Sequence, residues 1–531
     1  MTIAEYIAGQ LFNCGVKYVF GIPGGPSIPY MEAFKNAGIE FILTSHEGAA
    51  GVMADVSARL TGVPGVCHAT FGPGAANLVS GAGLAFLDRS PVIILTSEMP
   101  EKLRMRTVQM NIDHQELYKP VTKMTFRLTP ENVAEVLETA LTVSADEYPG
   151  PVHIGLPSDI AGLEYNRKDT GKTGHSEPVF ENNLPQIINL LEKSRRPLLA
   201  IGLTAARSGV RRLISDFLAS YPMPVVLTPM AKGIIPEDHP CYAGVLFHAL
   251  SDCLEDIFQK TDLVIGLGYD PVEYNYESWM PDVPLIHFDT RITDLPENIL
   301  TLPFTGLPSE WFRVLKNMNP AALIFESAVI RGIRDEMEGV FNGFLSHFGP
   351  VTALKVLREE LPSETIVTAD VGSHLHLIGQ YWRTPAVERL IMTNGWSSMG
   401  FGIPAALSVQ LNRPASKVFC ITGDGGFLMS AGEIITARRY NLPVKIVVFS
   451  DGELNLIKLK QSWKELLPYG TSLYNGDLFV SDRFLGVKVL TVKSETEMRD
   501  ALKSALGTDE PVIINTLIDP EDYKWMVVKP K

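Results

Sequence analysis

Lys417-Val418-Phe419-Cys420-Ile421-Thr422-Gly423-Asp424-Gly425 and Val444-Lys445-Ile446-Val447-Val448-Phe449-Ser450-Asp451-Gly452 are built alike. Each is a short apolar run that ends in an aspartate beside a glycine. Runs of this kind, rich in β-branched and aromatic residues, read as strands buried on both faces, the habit of a parallel sheet. Asp451 follows Asp424 by 27 residues, which leaves room for a crossover helix. The two strands are therefore expected to lie side by side and to present both carboxylates at one carboxyl edge, where open α/β sheets bind ligands. Paired oxygen donors beside glycine turns suit magnesium, a hard octahedral cation that shares its shell with phosphate oxygens and water. The pattern predicts a magnesium-diphosphate site.

The same alternation runs outward along the chain. Over residues 1–165, apolar runs at 18–20, 41–43, 66–69, 92–95 and 152–156 alternate with helical patterns, which predicts a parallel sheet wrapped by helices. A polar, glycine-bearing stretch at 166–172 interrupts it and reads as a linker. A second α/β block at 185–330 has candidate strands at 197–201, 224–227, 263–267 and 285–288. After a helical connection near 320–345, a third block at 346–531 adds strands at 365–368, 418–421, 446–449 and 512–515. A chain of 531 residues is too long for one core, and at roughly 100–200 residues per domain three α/β domains are expected.

Composition narrows the function classes. With 60 acidic against 46 basic residues the formal charge is −14, which argues against general binding to nucleic acid or anionic membranes. The five cysteines, Cys14, Cys67, Cys241, Cys253 and Cys420, form no CxxC pair and fit a reducing cytosol. No basic region precedes an apolar run at Thr2-Ile3-Ala4-Glu5-Tyr6, and no stretch approaches the roughly 20 apolar residues of a membrane span. A soluble cytoplasmic protein is the expectation.

Four further segments carry chemistry-bearing residues. Phe41-Ile42-Leu43-Thr44 runs into Ser45-His46-Glu47-Gly48, so Glu47 stands at a helix start, where the helix dipole alone favours a carboxylate by about 0.3–1 kcal/mol. Phe71-Gly72-Pro73-Gly74-Ala75-Ala76-Asn77 is a turn between strand and helix. Asp370-Val371-Gly372-Ser373-His374 and Asn394-Gly395-Trp396-Ser397-Ser398-Met399-Gly400-Phe401-Gly402 are loops leading into helices. Each alone reads as capping, turning or packing. In order, the His-Glu dipeptide, the GPGAAN turn, the SMGFG loop and GDG with its second acid resemble the thiamine-diphosphate enzymes of the acetolactate synthase and 2-oxoacid decarboxylase group, over essentially the whole chain.

That resemblance implies an N-terminal pyrimidine-binding domain, a central domain and a C-terminal diphosphate-binding domain, the first and third sharing the thiamine-diphosphate-binding fold. Active sites would form between two subunits of a homodimer or dimer of dimers, a homotetramer. Glu47 matches the acid that shifts the cofactor's aminopyrimidine to its imino form, and Met399 matches the apolar wedge between the cofactor's two rings. Asp424 and Asp451, with the backbone carbonyl of Glu453, would hold Mg2+. Gly423, Gly425 and Gly426 would admit main-chain N–H groups to the diphosphate, with Pro73, Asn77, Gly372, Ser373 and His374 as further cofactor contacts. The implied reaction is decarboxylation of a 2-oxoacid such as pyruvate and transfer of the acyl anion to a second carbonyl compound.

The central segment Gly268-Tyr269-Asp270-Pro271-Val272-Glu273-Tyr274 is similar to that of catabolic, flavin-independent acetolactate synthases, and argues against bound FAD. Three positions depart from the family pattern. Met110 replaces a glutamine, Phe71 replaces a serine before GPG, and Glu453-Leu454-Asn455 replaces an aromatic-containing segment. They keep open a simple 2-oxoacid decarboxylase, or a lyase or acyltransferase with an unusual substrate. A non-catalytic binding subunit and a flavoprotein oxidase are the readings from other classes.

Overall fold

A computed structural model describes residues 1–165, 183–291 and 294–526; the expected linker at 166–172 lies outside the described residues. Three sheets form, each flanked by helices. The first holds β1 (Tyr18–Ile22), β2 (Glu40–Leu43), β3 (Gly65–Ala69), β4 (Val92–Glu98), β5 (Met124–Arg127) and β6 (Val152–Pro157) in the order β2-β1-β3-β4-β6-β5. All its pairings are parallel.

The central sheet holds β7 (Pro197–Ile201), β8 (Val225–Leu227), β9 (Tyr242–Val245), β10 (Leu263–Leu267), β11 (Leu285–Asp289) and β12 (Thr301–Thr305). Its order is β12-β11-β10-β7-β8-β9, two halves that diverge from β7 and β10 as in doubly wound sheets. The third holds β13 (Ile366–Ala369), β14 (Leu390–Ile391), β15 (Val418–Gly423), β16 (Lys445–Ser450), β17 (Arg483–Phe484), β18 (Val487–Val492) and β19 (Val512–Leu517). Its order is β14-β13-β15-β16-β19-β18-β17, and only β17 runs antiparallel to its neighbour. In both the first and third sheets the second strand lies outside the first, and the third and fourth follow on the other side. The two units share a topology, and each has a switch point between its first and third strands.

Packing joins the three units. Phe20, Met53 and Leu78 share a core with Phe401, Ile403 and Val418, while Val226 and Tyr269 of the central unit share one with Val351 and Leu354. The helices Glu47–Thr61 and Pro73–Leu87 cross closely at Gly51 and Gly81, where a Cβ on Gly51 would stand 2.5 Å from the Gly81 Cα. Glycine is the residue that permits that crossing. The β15 and β16 strands pair in parallel with Gly423 opposite Phe449, so the two apolar runs that end at Asp424 and Asp451 are neighbours in one sheet.

Candidate active site

Asp424 opens the helix Asp424–Ser430 directly after β15, and Asp451 follows β16 at the same edge. Asp424 Oδ2 accepts from the backbone N–H of Asp451 at 3.1 Å and of Gly452 at 2.7 Å, and from the Tyr474 hydroxyl at 2.9 Å. Asp451 Oδ1 accepts from the Glu453 N–H at 3.0 Å, and its Oδ2 accepts from Asn455 Nδ2 at 2.9 Å. Among the described residues no cationic side chain pairs with either acid. Burial first, and then the charge of Asp424, push Asp451 up to about 7; burial also raises Asp424. Two acids crowded together and served by neutral donors alone are costly to ionise, and a divalent cation between them would remove that cost. The Glu453 side chain pairs with Lys458 at 3.4 Å, while its backbone N–H faces Asp451.

Beside the acids is a cavity of about 120 Å³ lined by Gly372, Ser373, His374, Gly423, Gly425 and Gly426. Ser373 Oγ and His374 Nε2 are buried with no hydrogen-bond partner. Burial lowers the His374 ring to about 4, so it is neutral near pH 7. A Cβ on Gly425 would come within 3.0 Å of Met399 Cε and 3.1 Å of Leu454 Cδ2; one on Gly426 would come within 2.6 Å of Asp370 Oδ2. Unpartnered polar atoms, glycine walls and two acids in need of a cation fit a magnesium-bound diphosphate.

Met399 lines this cavity and a second one of about 200 Å³ shared with Ser45, His46, Gly432 and Glu433. Its loop is pinned from two units. Asp370 Oδ1 accepts from the Gly400 N–H at 2.9 Å while Oδ2 accepts from the Thr422 hydroxyl at 2.9 Å. Asp88 Oδ1 accepts from the Gly395 N–H at 3.0 Å, and its Oδ2 binds Arg59 at 2.6 Å. Arg59 in turn donates to the Met392 carbonyl at 2.8 Å.

Glu47 is the first residue of the helix Glu47–Thr61, which His46 caps by accepting the Gly48 N–H on Nδ1 at 3.0 Å. The Glu47 side chain is only 7 % exposed. Its Oε2 accepts from Asn77 Nδ2 at 3.0 Å, and a Cβ on Gly74 would reach within 3.1 Å of its Oε1. The GPGAAN segment is helical from Pro73 onward rather than a loop, because proline at the first helical position gives up an N–H that had no partner there. Pro73 itself is exposed. The expected residues thus gather in two groups: Glu47, Pro73 and Asn77 at the edge of the first sheet, and Met399 with the 372–374, 423–426 and 451–453 residues at the edge of the third.

Sequence reasoning missed the residues that hold these groups. Glu433 Oε1 accepts from the backbone N–H of Ser45 at 2.9 Å and of His46 at 3.0 Å, tying the Glu47 helix to the third unit. Asn455, four residues after Asp451 at a helix start, had a local signal; Glu433, Asp88 and Tyr474 had none. His68 bonds Ser27 Oγ at 2.6 Å within the first core and lines neither cavity. In the central unit Tyr269 stacks on Tyr276 at 4.3 Å and its hydroxyl accepts from Trp279 Nε1 at 2.9 Å, so aromatic side chains pack this segment. All five cysteines are free, and no helix among the described residues is long and apolar enough to cross a membrane.

Comparison with known proteins agrees with this geometry. Residues 1–117 match the thiamine pyrophosphate enzyme N-terminal TPP binding domain, 184–314 the central domain and 370–516 the C-terminal TPP binding domain. The chain is 31 % identical to a probable acetolactate synthase large subunit of Methanocaldococcus jannaschii, across 99 % of this chain and 93 % of that protein. It is 28 % identical to the acetolactate synthase isozyme 2 large subunit of Escherichia coli, across 100 % and 98 %. With the acetolactate synthase of Bacillus subtilis it shares 26 % identity across 98 % and 93 %. With all three domain matches and full-length similarity to such a relative, the chain belongs to the thiamine pyrophosphate enzyme family.

Proposed function

We propose that this enzyme is an acetolactate synthase-like carboligase, with a 2-oxoacid, pyruvate first, as donor and a second carbonyl compound as acceptor. The observation that carries the site assignment is the Asp424 and Asp451 pair, delivered by adjacent parallel strands and lacking a side-chain cation among the described residues. Full-length similarity to acetolactate synthases supports the reaction class. Thiamine diphosphate, when bound, would supply the acidic carbon and the electron sink that decarboxylation of a 2-oxoacid requires.

The chain's own residues would bind and orient it. Asp424, Asp451 and the Glu453 carbonyl would hold Mg2+, and Gly423, Gly425, Gly426, Gly372, Ser373 and His374 would surround the diphosphate. Met399 would pack against the cofactor's rings. Glu47, oriented by Asn77 on Oε2, would set its carboxyl against the aminopyrimidine, and Gly74 packs close to its Oε1. The units at 1–165, 185–330 and 346–531 supply the pyrimidine half, the central support and the diphosphate half.

Each site is completed by a second copy, in a homodimer or a dimer of dimers. Large apolar side chains left open on the single chain support this: Leu467 and Tyr469 are each 88 % exposed and Val480 is 93 % exposed, a pattern that marks an interaction surface. The acidic composition and the free cysteines support a cytoplasmic location. Incubation with pyruvate, thiamine diphosphate and magnesium is expected to yield acetolactate. Acetaldehyde as the sole product would assign a simple decarboxylase instead, and no product from pyruvate or other 2-oxoacids would overturn the reading.

A further inference from the structure

Glu98, His114 and His153 are buried side by side, with ligand atoms within 4.8 Å of one another. By residue type they resemble a metal cluster. Their hydrogen bonds give them a different role, because every ring nitrogen is already engaged. Gly72 N–H donates to His114 Nε2 at 3.2 Å. His114 Nδ1 meets the Thr96 hydroxyl at 2.9 Å, and that hydroxyl meets His153 Nε2 at 2.8 Å. His153 Nδ1 meets the Thr125 hydroxyl at 2.7 Å, Thr125 donates to Gln115 Oε1 at 2.6 Å, and Gln115 Nε2 donates to Glu98 Oε1 at 2.6 Å. Arg127 closes the far end on Glu98 Oε2.

The two ends fix the direction of every proton between them. A backbone N–H can only donate, so His114 Nε2 is the bare nitrogen and Nδ1 carries the hydrogen. Thr96 Oγ1 then accepts from His114 and gives its proton to His153 Nε2, which places the second ring's hydrogen on Nδ1 as well. Thr125 accepts from His153 and donates onward. From the other end, Glu98 orients the Gln115 amide so that its oxygen faces Thr125, and this demands the same direction. A proton added to His114 Nε2 would point at the Gly72 N–H, donor against donor.

We infer that His114 is a positioning residue: this one-directional chain holds His114 and His153 as neutral Nδ1–H tautomers and, through His114 Nε2, fixes the Gly72-Pro73-Gly74 turn beside Glu47. The turn needs holding. Gly72 sits at φ +68, in the left-handed region, and a Cβ there would stand 2.6 Å from the Met110 carbonyl oxygen. Two residues on, Gly74 faces Glu47 Oε1, so a displaced turn changes the room around that carboxyl. Tyr118 stacks on His153 at 4.2 Å and donates to the Ala75 carbonyl at 2.7 Å, a second tie from the same network to the same helix. Thr96 and His153 are fully buried and His114 is 3 % exposed, which keeps water from substituting for a missing member.

The titratable and charged groups around the chain are Asp113 and Arg127 near His114, the two neutral imidazoles facing each other, Glu98 with Arg104 near it, and Glu101 paired with Arg127. Burial first lowers His114 to about 4 and holds His153 well below its ordinary value, so the neutral chain persists through the physiological range. The catalytic consequence rests on the proposed function; the tautomers do not.

The deciding experiment is 15N NMR of histidine-labelled full-length protein at pH 7, with signals assigned by loss in His114→Gln and His153→Gln. Both rings are expected as neutral Nδ1–H forms, and an Nε2–H form of either ring would overturn the inference. In the kinetic arm, Thr96→Val removes the middle hydroxyl while keeping the side-chain shape. It is expected to lower kcat roughly tenfold with KM and thiamine-diphosphate affinity unchanged, and His114→Gln, whose Oε1 can still accept from Gly72, is expected to retain more activity than His114→Leu. A wild-type kcat in Thr96→Val would also overturn it. Failure of wild type to bind thiamine diphosphate would count against the proposed function and leave the tautomer result decisive.

Discussion

Asp424 and Asp451 are oriented by neutral donors, and those donors set how well the pair can receive an ion. Tyr474 and the Gly452 N–H fix Asp424 Oδ2, while Asn455 fixes Asp451 Oδ2. Outer partners of this kind orient a metal ligand, and their loss weakens binding by about 10–100-fold. Tyr474→Phe and Asn455→Ala are therefore expected to weaken magnesium-dependent cofactor binding by about that factor, read by calorimetry, with the fold intact by circular dichroism. Unchanged affinity in both would mean that the two acids are not the ligands. The residues proposed for the site, Glu47, Met399, Asp424 and Asp451, could be picked out from sequence because each lies in a contiguous motif. Glu433, Asp370 and Asp88 escaped notice as supports because they act on backbone far away along the chain, Glu433 on Ser45 and Asp88 on Gly395. Nothing local marks such a partner.

Among the elements, the central segment that follows β10 carries an unusual buried acid. Glu273 accepts from the Met230 N–H at 2.9 Å, and burial raises it to about 8. A carboxyl raised in the folded state favours folding most below its unfolded value near 4.5, and that contribution is lost as pH climbs through about 8. Glu273→Gln keeps the acceptor and cannot ionise, so its Tm is expected to gain on wild type as pH rises across that window; a gap that stays constant with pH would contradict this. Strand recognition from sequence followed burial in the same physical way. Inner strands such as β4, β15 and β16 are apolar on both faces and stood out as continuous runs. The strands left unread, β5, β9, β12, β14, β17 and β18, lie at sheet edges or next to one. In β5 and β18 exposure admits polar residues and the apolar signal fades, whereas β9 and β14 are buried but only 4 and 2 residues long, too short to stand out as runs.

Over the whole molecule, two sheets of like topology carry the two groups of residues proposed to surround the cofactor, with the central sheet packed against the third unit. If the halves come from different copies, Glu47→Gln and Asp424→Ala are each inactive alone, yet their hybrid contains one intact site. Mixing after co-expression is expected to restore about a quarter of wild-type activity, since half of the dimers are hybrids with one working site of two; no recovery would place both halves in one chain. In the proposed reaction this fold would hold a magnesium-bound thiamine diphosphate by Asp424 and Asp451, and Glu47 would activate it. Proton exchange at C2 of the bound cofactor, followed by NMR after transfer into deuterated water, tests it most directly. Wild type is expected to exchange rapidly with magnesium and to lose the cofactor without it, and Glu47→Gln is expected to retain the cofactor and exchange about 10²–10⁴-fold more slowly. Exchange at the wild-type rate in Glu47→Gln, or tight binding without magnesium, would contradict the account.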